Sequence, residues 1–377
     1  MTDHRTQLLE MYASGLVAVN GELAVYKALH TKGLHQPCHV VAIGKAADAM
    51  LWGAYRYLRD TMQSALLITK HQHVSAATQA LAQVQILESA HPIPDESSLQ
   101  AGVALIQYLQ ALPADAPVLF LISGGTSSLV EVLDTGWTLD RLQQATQDML
   151  ANGAVISEIN AMRRTLSLIK GGKLWQYVGE RPVTCLLMSD VPGDDPAVIG
   201  SGLLFPATSA TFAWEIVASN HQLLAAIVET ATAAVNVMPD FLEGDTEAVA
   251  QQCIAHLRHS ASGIYVWGAE TTLQLPLNPG YGGRNQHFAL AAALCLQPED
   301  DIFLMAVGTD GTDGVTADTG ALVDSGTVQR GNTQNLDAVA CLQTADAGTF
   351  LAASGDLIHT GPTGTNVMDV IIGWKVS

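Results

Sequence analysis

The chain has 377 residues, of which 48% are hydrophobic and only 14% are charged. Its 36 acidic and 17 basic residues give a formal net charge of −19. This balance excludes a general nucleic-acid binder or a protein that binds anionic membranes, because both need a basic surface. The hydrophobic content excludes a disordered chain. The length exceeds the roughly 100 to 200 residues of one domain and predicts two domains, with three as the alternative.

Short apolar runs alternate with helical stretches, which predicts an α/β fold around a mostly parallel sheet. In such sheets ligands bind beyond the carboxyl ends of the strands. Glycines and small polar residues follow most of these runs, so the functional site is predicted in the loops after them. The strands are predicted at residues 40–43, 65–68, 84–87, 118–122, 183–188, 264–267 and 302–307.

Capping residues and hydrophobic spacing predict five helices before the middle of the chain. The alanine-rich, glycine-free stretch 209–237 predicts one or two more helices that cross between the halves, and Pro239 marks the expected domain boundary. Asn152 and Gly153 are expected to stop a helix. The five helices are predicted at residues 5–14, 21–30, 96–111 after Asp95, 139–150 after Thr138 and 158–169 after Ser157.

The longest apolar runs are far shorter than the ~20 residues of a membrane-spanning helix. The first ten residues lack the charged-then-apolar order of a signal peptide. Five widely spaced cysteines without a Cys-x-x-Cys motif indicate buried, reduced thiols. We therefore expect a cytoplasmic protein.

A basic cluster ends in the sequence Lys-Gly-Gly-Lys. Arg163, Arg164, Lys170 and Lys173 place four of only 17 cations within eleven residues, around Gly171–Gly172. Scarce positive charge beside paired glycines predicts an anion site for phosphate or carboxylate. The alternative is a solvated helix face with ordinary ion pairs.

Two loops after predicted strands also suit anions. Lys45 follows Gly44 at a strand end, just before a helix, although the loop does not match a Walker A motif. The segment Ser123–Ser128 follows the most apolar run and offers successive backbone N–H groups. The alternative for Lys45 is an ordinary surface lysine. The alternative for Ser123–Ser128 is a flexible turn.

Carboxylates cluster in two further loops, around Asp190 and in the Gly-Thr-Asp repeat that contains Asp310 and Asp313. Mg²⁺ commonly takes one or two carboxylates together with phosphate oxygens, but aspartates also build plain turns. Arg284 offers a planar donor in a glycine-rich approach. No Gly-x-Gly-x-x-Gly follows a predicted strand, which argues against a dinucleotide site.

Together, and in this order, these motifs resemble those of the glycerate 2-kinase family whose C-terminal half is the MOFRL domain. The matching stretches span nearly the whole chain. They are Ala42–Ala47, His91–Asp95, Ser123–Gly125, Leu166–Leu174, Ser189–Asp195, Gly282–Gln286, Gly308–Gly314 and Thr360–Asn366.

The resemblance implies ATP-dependent phosphorylation of the 2-hydroxyl of D-glycerate, giving 2-phosphoglycerate and ADP, with Mg²⁺. It implies an N-terminal Rossmann-like domain over residues 1–238, with a doubly wound, mostly parallel sheet. A C-terminal MOFRL-like α/β domain over residues 239–377 would carry a mixed sheet, and the site would lie in the cleft between the domains. D-Glycerate and ATP would be the partners, without nucleic acid or membrane, and a homo-oligomer is compatible with this.

The resemblance also implies roles for individual residues of this chain. Lys45, Arg284 and Asp190 would be catalytic, and Asp190 and Asp310 would be the metal ligands. Substrate contacts would come from Arg163, Asn285, Asp313 and Asn366. The nucleotide would be held by Gly44, Ser123, Gly124, Gly125, Thr126, Ser127, Lys170, Gly171 and Gly172.

The chain departs from the family pattern at three places. Thr126 stands where the family has a third glycine, residues 200–205 lack the usual Gly-Pro-Thr, and Met368 replaces a common asparagine. These changes leave the acceptor acid open. Two other functions are alternatives: an NAD(P)H-dependent hydroxypyruvate reductase, which the missing dinucleotide motif disfavours, and a non-catalytic sensor of nucleotides or sugar acids.

Overall fold

A computed structural model describes residues 4–151, 156–206, 211–231 and 233–376. The chain forms two compact units. The parallel-sheet unit comprises residues 20–219 and 364–366. The mixed-sheet unit comprises residues 1–19, 220–363 and 367–377, so it contains both the first and the last segment of the sequence. The predicted α/β fold with two domains is confirmed.

After helix α1 (His4–Ala18), which belongs to the mixed-sheet unit, the chain builds a six-stranded parallel sheet. The strand order is β3-β2-β1-β4-β5-β6, so the direction of winding reverses between β1 and β4. The central strands are buried apolar runs, as expected for a sheet covered on both faces. The strands are β1 (Cys38–Ile43), β2 (Met62–Lys70), β3 (Val84–Ser89), β4 (Val118–Ile122), β5 (Val183–Met188) and β6 (Phe212–Ala218).

The helices of this unit begin largely where capping residues predict. The side chain of Asp95 accepts a hydrogen bond from Ser97 N (2.8 Å), and Ser98 Oγ accepts one from Asp95 N (3.1 Å), which closes a capping box. The predicted stop at Asn152 and Gly153 lies outside the described residues. The helices are α2 (Gly21–Lys32), α3 (Ala47–Leu58), α4 (Ala76–Gln79), α5 (Glu96–Ala111), α6 (Thr126–Leu129), α7 (Leu139–Ala151), α8 (Ile156–Leu166) and α9 (Trp175–Val178).

The purely helical prediction for residues 209–237 is wrong. Residues 207–210 and 232 lie outside the described ranges, and the remainder forms β6, a helix and a short strand. Residues 212–218 pair in parallel with β5, and Phe212 packs edge-on against Trp175 and Phe205 at 5.2 and 5.3 Å. Aromatic and β-branched residues occupy four of the seven positions of β6 and favour a strand, although the surrounding stretch is rich in alanine.

The mixed-sheet unit contains seven strands in the order β12-β11-β10-β13-β9-β7, with β8 also paired to β9. Strands β9 to β13 pair antiparallel, whereas β7 and β8 run parallel to β9. The strands are β7 (Val235–Val237), β8 (Leu242–Asp245), β9 (Gly263–Thr272), β10 (Ile302–Gly308), β11 (Gly320–Asp324), β12 (Leu357–Ile358) and β13 (Asp369–Lys375). The helices are α10 (Asn220–Thr230), α11 (Thr246–His259), α12 (Arg284–Cys295), α13 (Thr327–Asn332), α14 (Ala338–Gln343) and α15 (Ala347–Ser354).

Helix α1 is tied to this unit by side chains that reach across the whole sequence. Arg5 forms ion pairs with Asp324 (2.7 Å) and Asp356 (2.8 Å). The buried hydroxyl of Tyr12 donates to Gly308 O at 2.5 Å. These contacts place residues 1–19 with the C-terminal sheet, so the structural division differs from the predicted boundary between residues 238 and 239.

No helix in the described part of the chain is by itself long and apolar enough to cross a membrane. Among the described helices, α1 and α2 reach that length and composition only when they are taken together as a bent pair. The five cysteines are free thiols, and all but Cys295 are buried. Burial raises the pKa of the Cys38 thiol to about 11.

Asp356 is the centre of the ion-pair network that holds α1, and we expect its removal to destabilise the protein. Its side chain is 1% exposed and accepts hydrogen bonds from Arg5, Arg330 and Ser354. Asp356→Ala would leave cations without their buried partner and should lower the free energy of unfolding by about 3 kcal/mol. Urea unfolding would measure the loss. Asp115→Ala, at an exposed loop position, is the control and should change stability by less than ~0.5 kcal/mol. Equal losses of stability in the two variants would show that the Asp356 network does not stabilise the fold.

Candidate active site

The loops that follow β1 and β4 interlock at the point where the strand order reverses. Ser123 N donates to Ile43 O (2.9 Å), and Lys45 N donates to Gly124 O (2.8 Å). Ala46 N donates to Ser123 Oγ (3.1 Å). Crevices at such reversals are the usual ligand sites of open parallel sheets. The two predicted anion loops therefore form one rigid element at the expected edge of the sheet.

Gly44 is required by this interlock. Its φ of +129° is unfavourable for any residue with a side chain. A Cβ atom at this position would also collide with the side chain and carbonyl group of Ser123. The sequence therefore needs glycine here to let the two loops touch, whatever ligand they hold.

The turn at Gly124 brings a carboxylate and an amide against the same loop. A Cβ atom on Gly124 would overlap both Asp190 Oδ2 and Asn366 Nδ2. Burial raises the pKa of Asp190, while the charge of Lys45 and the N–H of Gly125 act in the opposite direction. The structure thus brings together Lys45, Asp190 and Asn366, which lie far apart in the sequence.

His91 is a member of this cluster that sequence analysis left without a role. A Cβ atom on Gly125 would lie 3.0 Å from His91 Cδ2 and 3.1 Å from Lys45 Cγ, so the imidazole and the lysine stem border the same glycine. The only sequence signal was its place in the His91–Asp95 stretch after the third predicted strand. We define the switch-point cluster as Lys45, His91, Gly124–Gly125, Asp190 and Asn366.

Thr126, where the family has a third glycine, faces the interior. Its buried hydroxyl donates to Ile43 O (3.1 Å) and Ser123 O (2.7 Å). The next residue, Ser127, shares a hydrogen bond with Ser201 Oγ at 2.5 Å. Thr126 therefore links the ends of β1 and β4 through its hydroxyl group.

Lys170, which is predicted to contact the nucleotide, lies inside the protein. Its side chain is buried, pairs with the buried carboxylate of Glu131, and donates to Ser127 O at 2.8 Å. Burial lowers the pKa of Lys170, and the charge of Glu131 opposes that shift. The ammonium group is thus enclosed between Glu131 and Ser127 O, and the predicted contact between Lys170 and the nucleotide stays a prediction. The alternative of a solvated helix face is wrong for this residue.

The two glycines after Lys170 contact a neighbouring turn. Gly171 N donates to Ser201 O (3.0 Å), and Gly172 N donates to Gly202 O (2.7 Å). Their N–H groups are thus engaged within the protein. Any contact of these glycines with a nucleotide would have to use other atoms, and that contact stays a prediction.

Arg163 lies beside the Lys170–Glu131 pair. Its side chain is partly buried, and its Nε atom is enclosed without a hydrogen-bond partner in the described residues. Burial lowers the pKa of Arg163, and the charge of Glu131 raises it. The predicted contact between Arg163 and the substrate stays a prediction.

In the mixed-sheet unit, Arg284 begins α12 and is held by two carboxylates. Its Nε donates to Asp369 Oδ2 (2.7 Å) and its Nη1 to Glu270 Oε1 (2.5 Å). Burial opposes the charge, but the two carboxylates outweigh it and raise the pKa of Arg284. Sequence analysis missed Asp369 and Glu270 as partners of Arg284. They meet it because Asp369 pairs with Ala269 on the adjacent strand.

At the start of α12, the backbone N–H of Asn285 is hydrogen-bonded to the carboxylate of Asp313. The two carboxylate oxygens of Asp313 accept hydrogen bonds from Asn285 N (3.1 Å) and Gln286 N (2.8 Å). Burial raises the pKa of Asp313 to about 7, although these N–H groups act against the shift. Asp313 therefore caps the helix that presents Arg284, and its predicted contact with the substrate stays a prediction.

The predicted metal ligands supply few donors. The described residues hold no group of three or more side chains that could bind a metal ion. Oδ1 of Asp310 accepts from Thr312 N (3.1 Å) and Thr312 Oγ1 (3.0 Å). Asp190 is the carboxylate beside the glycine loop. This donor set fits Mg²⁺ that is bound chiefly through phosphate oxygens and one carboxylate.

Comparisons with known proteins cover both units. Two family models match: "Domain of unknown function (DUF4147)" over residues 7–236 and "MOFRL family" over residues 263–369. A "D-glycerate 2-kinase" of Thermotoga maritima is 31% identical over 97% of each chain. A "Putative hydroxypyruvate reductase" of Agrobacterium vitis is 33% identical over 97% of this chain and 93% of that one. A crystal structure of glycerate kinase from Thermotoga maritima has a TM-score of 0.86 at 29% identity, covering 98% of this chain and 99% of that one.

The raised pKa of Asp313 predicts a pH-dependent contribution to stability. Its ordinary pKa of 3.8 rises to about 7 in the folded protein, so the folded state holds this proton more tightly than the unfolded state. The contribution of Asp313 is therefore fully present below the ordinary pKa and is lost as the pH rises to about 7. Asp313→Asn has no such proton. We expect it to lose less stability than the wild type between about pH 5 and about pH 8 in urea unfolding. Parallel pH profiles would disprove this.

Proposed function

Because the chain belongs to the glycerate 2-kinase family with a C-terminal MOFRL domain, we propose that it transfers the terminal phosphoryl group of ATP to the 2-hydroxyl of D-glycerate. The products are 2-phosphoglycerate and ADP. The observation that carries this proposal is the meeting of Lys45, Asp190 and Asn366 at the glycine loop where the strand order reverses.

Phosphoryl transfer requires mainly that the protein align the two substrates and supply cations that neutralise the charge spreading over the transferred group. Lys45 supplies one such cation, on a backbone fixed by its hydrogen bond to Gly124 O. Mg²⁺ would be held by Asp190 together with phosphate oxygens and would neutralise charge on the triphosphate. Burial disfavours the charged form of Asp190, so a cation at its carboxylate is favourable.

Arg284 is the proposed group for the carboxylate of D-glycerate. A guanidinium has five N–H donors in a planar fork, and Asp369 and Glu270 each receive one of them in this chain. The remaining donors are oriented before the substrate arrives, which reduces the entropy cost of binding. Arg284 belongs to the mixed-sheet unit, whereas Lys45 and Asp190 belong to the parallel-sheet unit.

The free thiols indicate a reducing compartment, and we place the reaction in the cytoplasm. A homo-oligomer stays a prediction.

The direct test is ADP release from ATP and Mg²⁺ with D-glycerate, compared with L-glycerate, hydroxypyruvate and tartronate. We expect release that depends on D-glycerate and a product that phosphorus NMR identifies as 2-phosphoglycerate. The same preparation should not oxidise NADH with hydroxypyruvate. NADH oxidation without any glycerate-dependent ADP would favour the reductase, and ATP binding without turnover of any acceptor would favour the sensor.

Removal of either proposed cation should abolish most turnover. We expect Lys45→Ala and Arg284→Ala each to lower kcat by about two to three orders of magnitude, the scale of losing one positioned charge-stabilising donor. Lys27→Ala and Arg141→Ala remove exposed cations elsewhere and should remain within about twofold of wild type. Near-normal turnover of a site variant would remove that residue from the mechanism.

A further inference from the structure

A concave surface feature lies in the parallel-sheet unit, between α8 and the turns within residues 195–206. It is an open depression with a volume of about 550 Å³ and is here called the α8 pocket. This volume is in the range of sites for ligands of nucleoside size. Residues that line it include Ala161, Arg164, Gly171, Asp195, Ala197 and Phe205.

The wall of the α8 pocket is bonded to the glycine loop. Gly171, which lines the pocket, donates its N–H to Ser201 O at 3.0 Å. Ser201 Oγ shares a hydrogen bond with Ser127 Oγ at 2.5 Å, and Lys170 Nζ donates to Ser127 O at 2.8 Å. The pocket and the loop proposed to hold phosphate are therefore parts of one hydrogen-bonded assembly.

Arg164 is the cation that a ligand in this pocket would meet. Its guanidinium donates no hydrogen bond to any residue that the structure describes. Its stem lies over Gly171, with Cδ 3.6 Å from the position of a Cβ atom there. The other cation of the wall, Lys173, is occupied, because its ammonium donates to Arg164 O (2.8 Å) and Ser167 O (2.7 Å).

The rest of the wall suits a flat, largely apolar group with hydroxyls at one end. Ala161, Ala197 and Phe205 supply apolar surface, and the exposed carboxylate of Asp195 supplies an acceptor. A three-carbon hydroxy acid is polar all round and would leave this surface unused. A purine nucleoside combines an aromatic face, on which a guanidinium can stack, with ribose hydroxyls that can donate hydrogen bonds to a carboxylate.

We propose that the α8 pocket binds the adenosine moiety of ATP, with Arg164 against the base and Asp195 on the ribose side. This inference rests on the proposed kinase function and adds to it the site that recognises the nucleoside. It assigns recognition of the base to residues separate from the switch-point cluster.

Filling the pocket tests the proposal. Ala161→Trp places an indole in the cavity and should raise the KM for ATP by at least about tenfold, because the pocket supplies the contacts of the nucleoside. The kcat and the KM for D-glycerate should stay within about twofold. Inhibition by inorganic tripolyphosphate should not change, whereas inhibition by adenosine should weaken. Ala225→Trp, on the exposed side of α10, is the matched control.

A milder variant keeps the test valid if the indole disturbs folding. Arg164→Ala should raise the KM for ATP about three- to tenfold, the effect of one stacked cation, with unchanged inhibition by tripolyphosphate. Arg141→Ala, an exposed arginine on α7, is its control.

The outcomes separate this inference from the function on which it rests. An unchanged KM for ATP in Ala161→Trp and Arg164→Ala, in an enzyme that phosphorylates glycerate, would overturn the pocket and leave the kinase intact. Equal weakening of ATP and tripolyphosphate would also overturn it. If the wild type phosphorylates no acceptor, the kinase proposal fails. Calorimetry with adenosine on the wild type and Ala161→Trp then decides the pocket: weaker binding to the variant supports it, and equal or absent binding overturns it.

Discussion

The reversal of strand order between β1 and β4 is the constraint on which the site depends. At this point the loops beyond two neighbouring strands are free to diverge, yet here they are joined by Gly44, which accepts the close approach of Ser123. The joined loops fix the position of Lys45 and the N–H groups after it. Once that element is rigid, Asp190 at the end of β5 and the returning segment at residues 364–366 can meet it with defined geometry.

Charge is the second organising factor. In a chain with 17 basic and 36 acidic residues, cations are scarce, and two of those described above stand beside buried carboxylates. Lys170 accompanies Glu131, and Arg284 accompanies Asp369. Such pairs cost desolvation on both partners, so their value is orientation more than stability. The Lys170–Glu131 pair supports the glycine loop, and the Arg284–Asp369 pair orients the guanidinium of Arg284.

The sequence predicted the parts of the site that are local and missed those that arise from pairing. Lys45, Ser123 and Asp190 were found because each follows a strand whose apolar run is unambiguous. Glu270 and Asp369 were missed as the carboxylates that hold Arg284, since β9 and β13 are neighbours only in the folded sheet. The strand at residues 212–218 was missed because it lies within a longer alanine-rich, glycine-free stretch. Composition identified Lys170 as a cation but could not show that Glu131 encloses it.

The mixed-sheet unit is assembled from both ends of the chain, and this has a consequence for biosynthesis. Arg5 leaves the ribosome early, but its partner Asp356 follows 351 residues later. At about 5 to 20 residues per second, helix α1 waits roughly 20 to 70 seconds for the sheet on which it packs. During that interval the parallel-sheet unit can fold behind it, while the apolar face of α1 is exposed to the nascent-chain environment. The mixed-sheet unit is therefore expected to complete its fold only after Asp356 has left the ribosome.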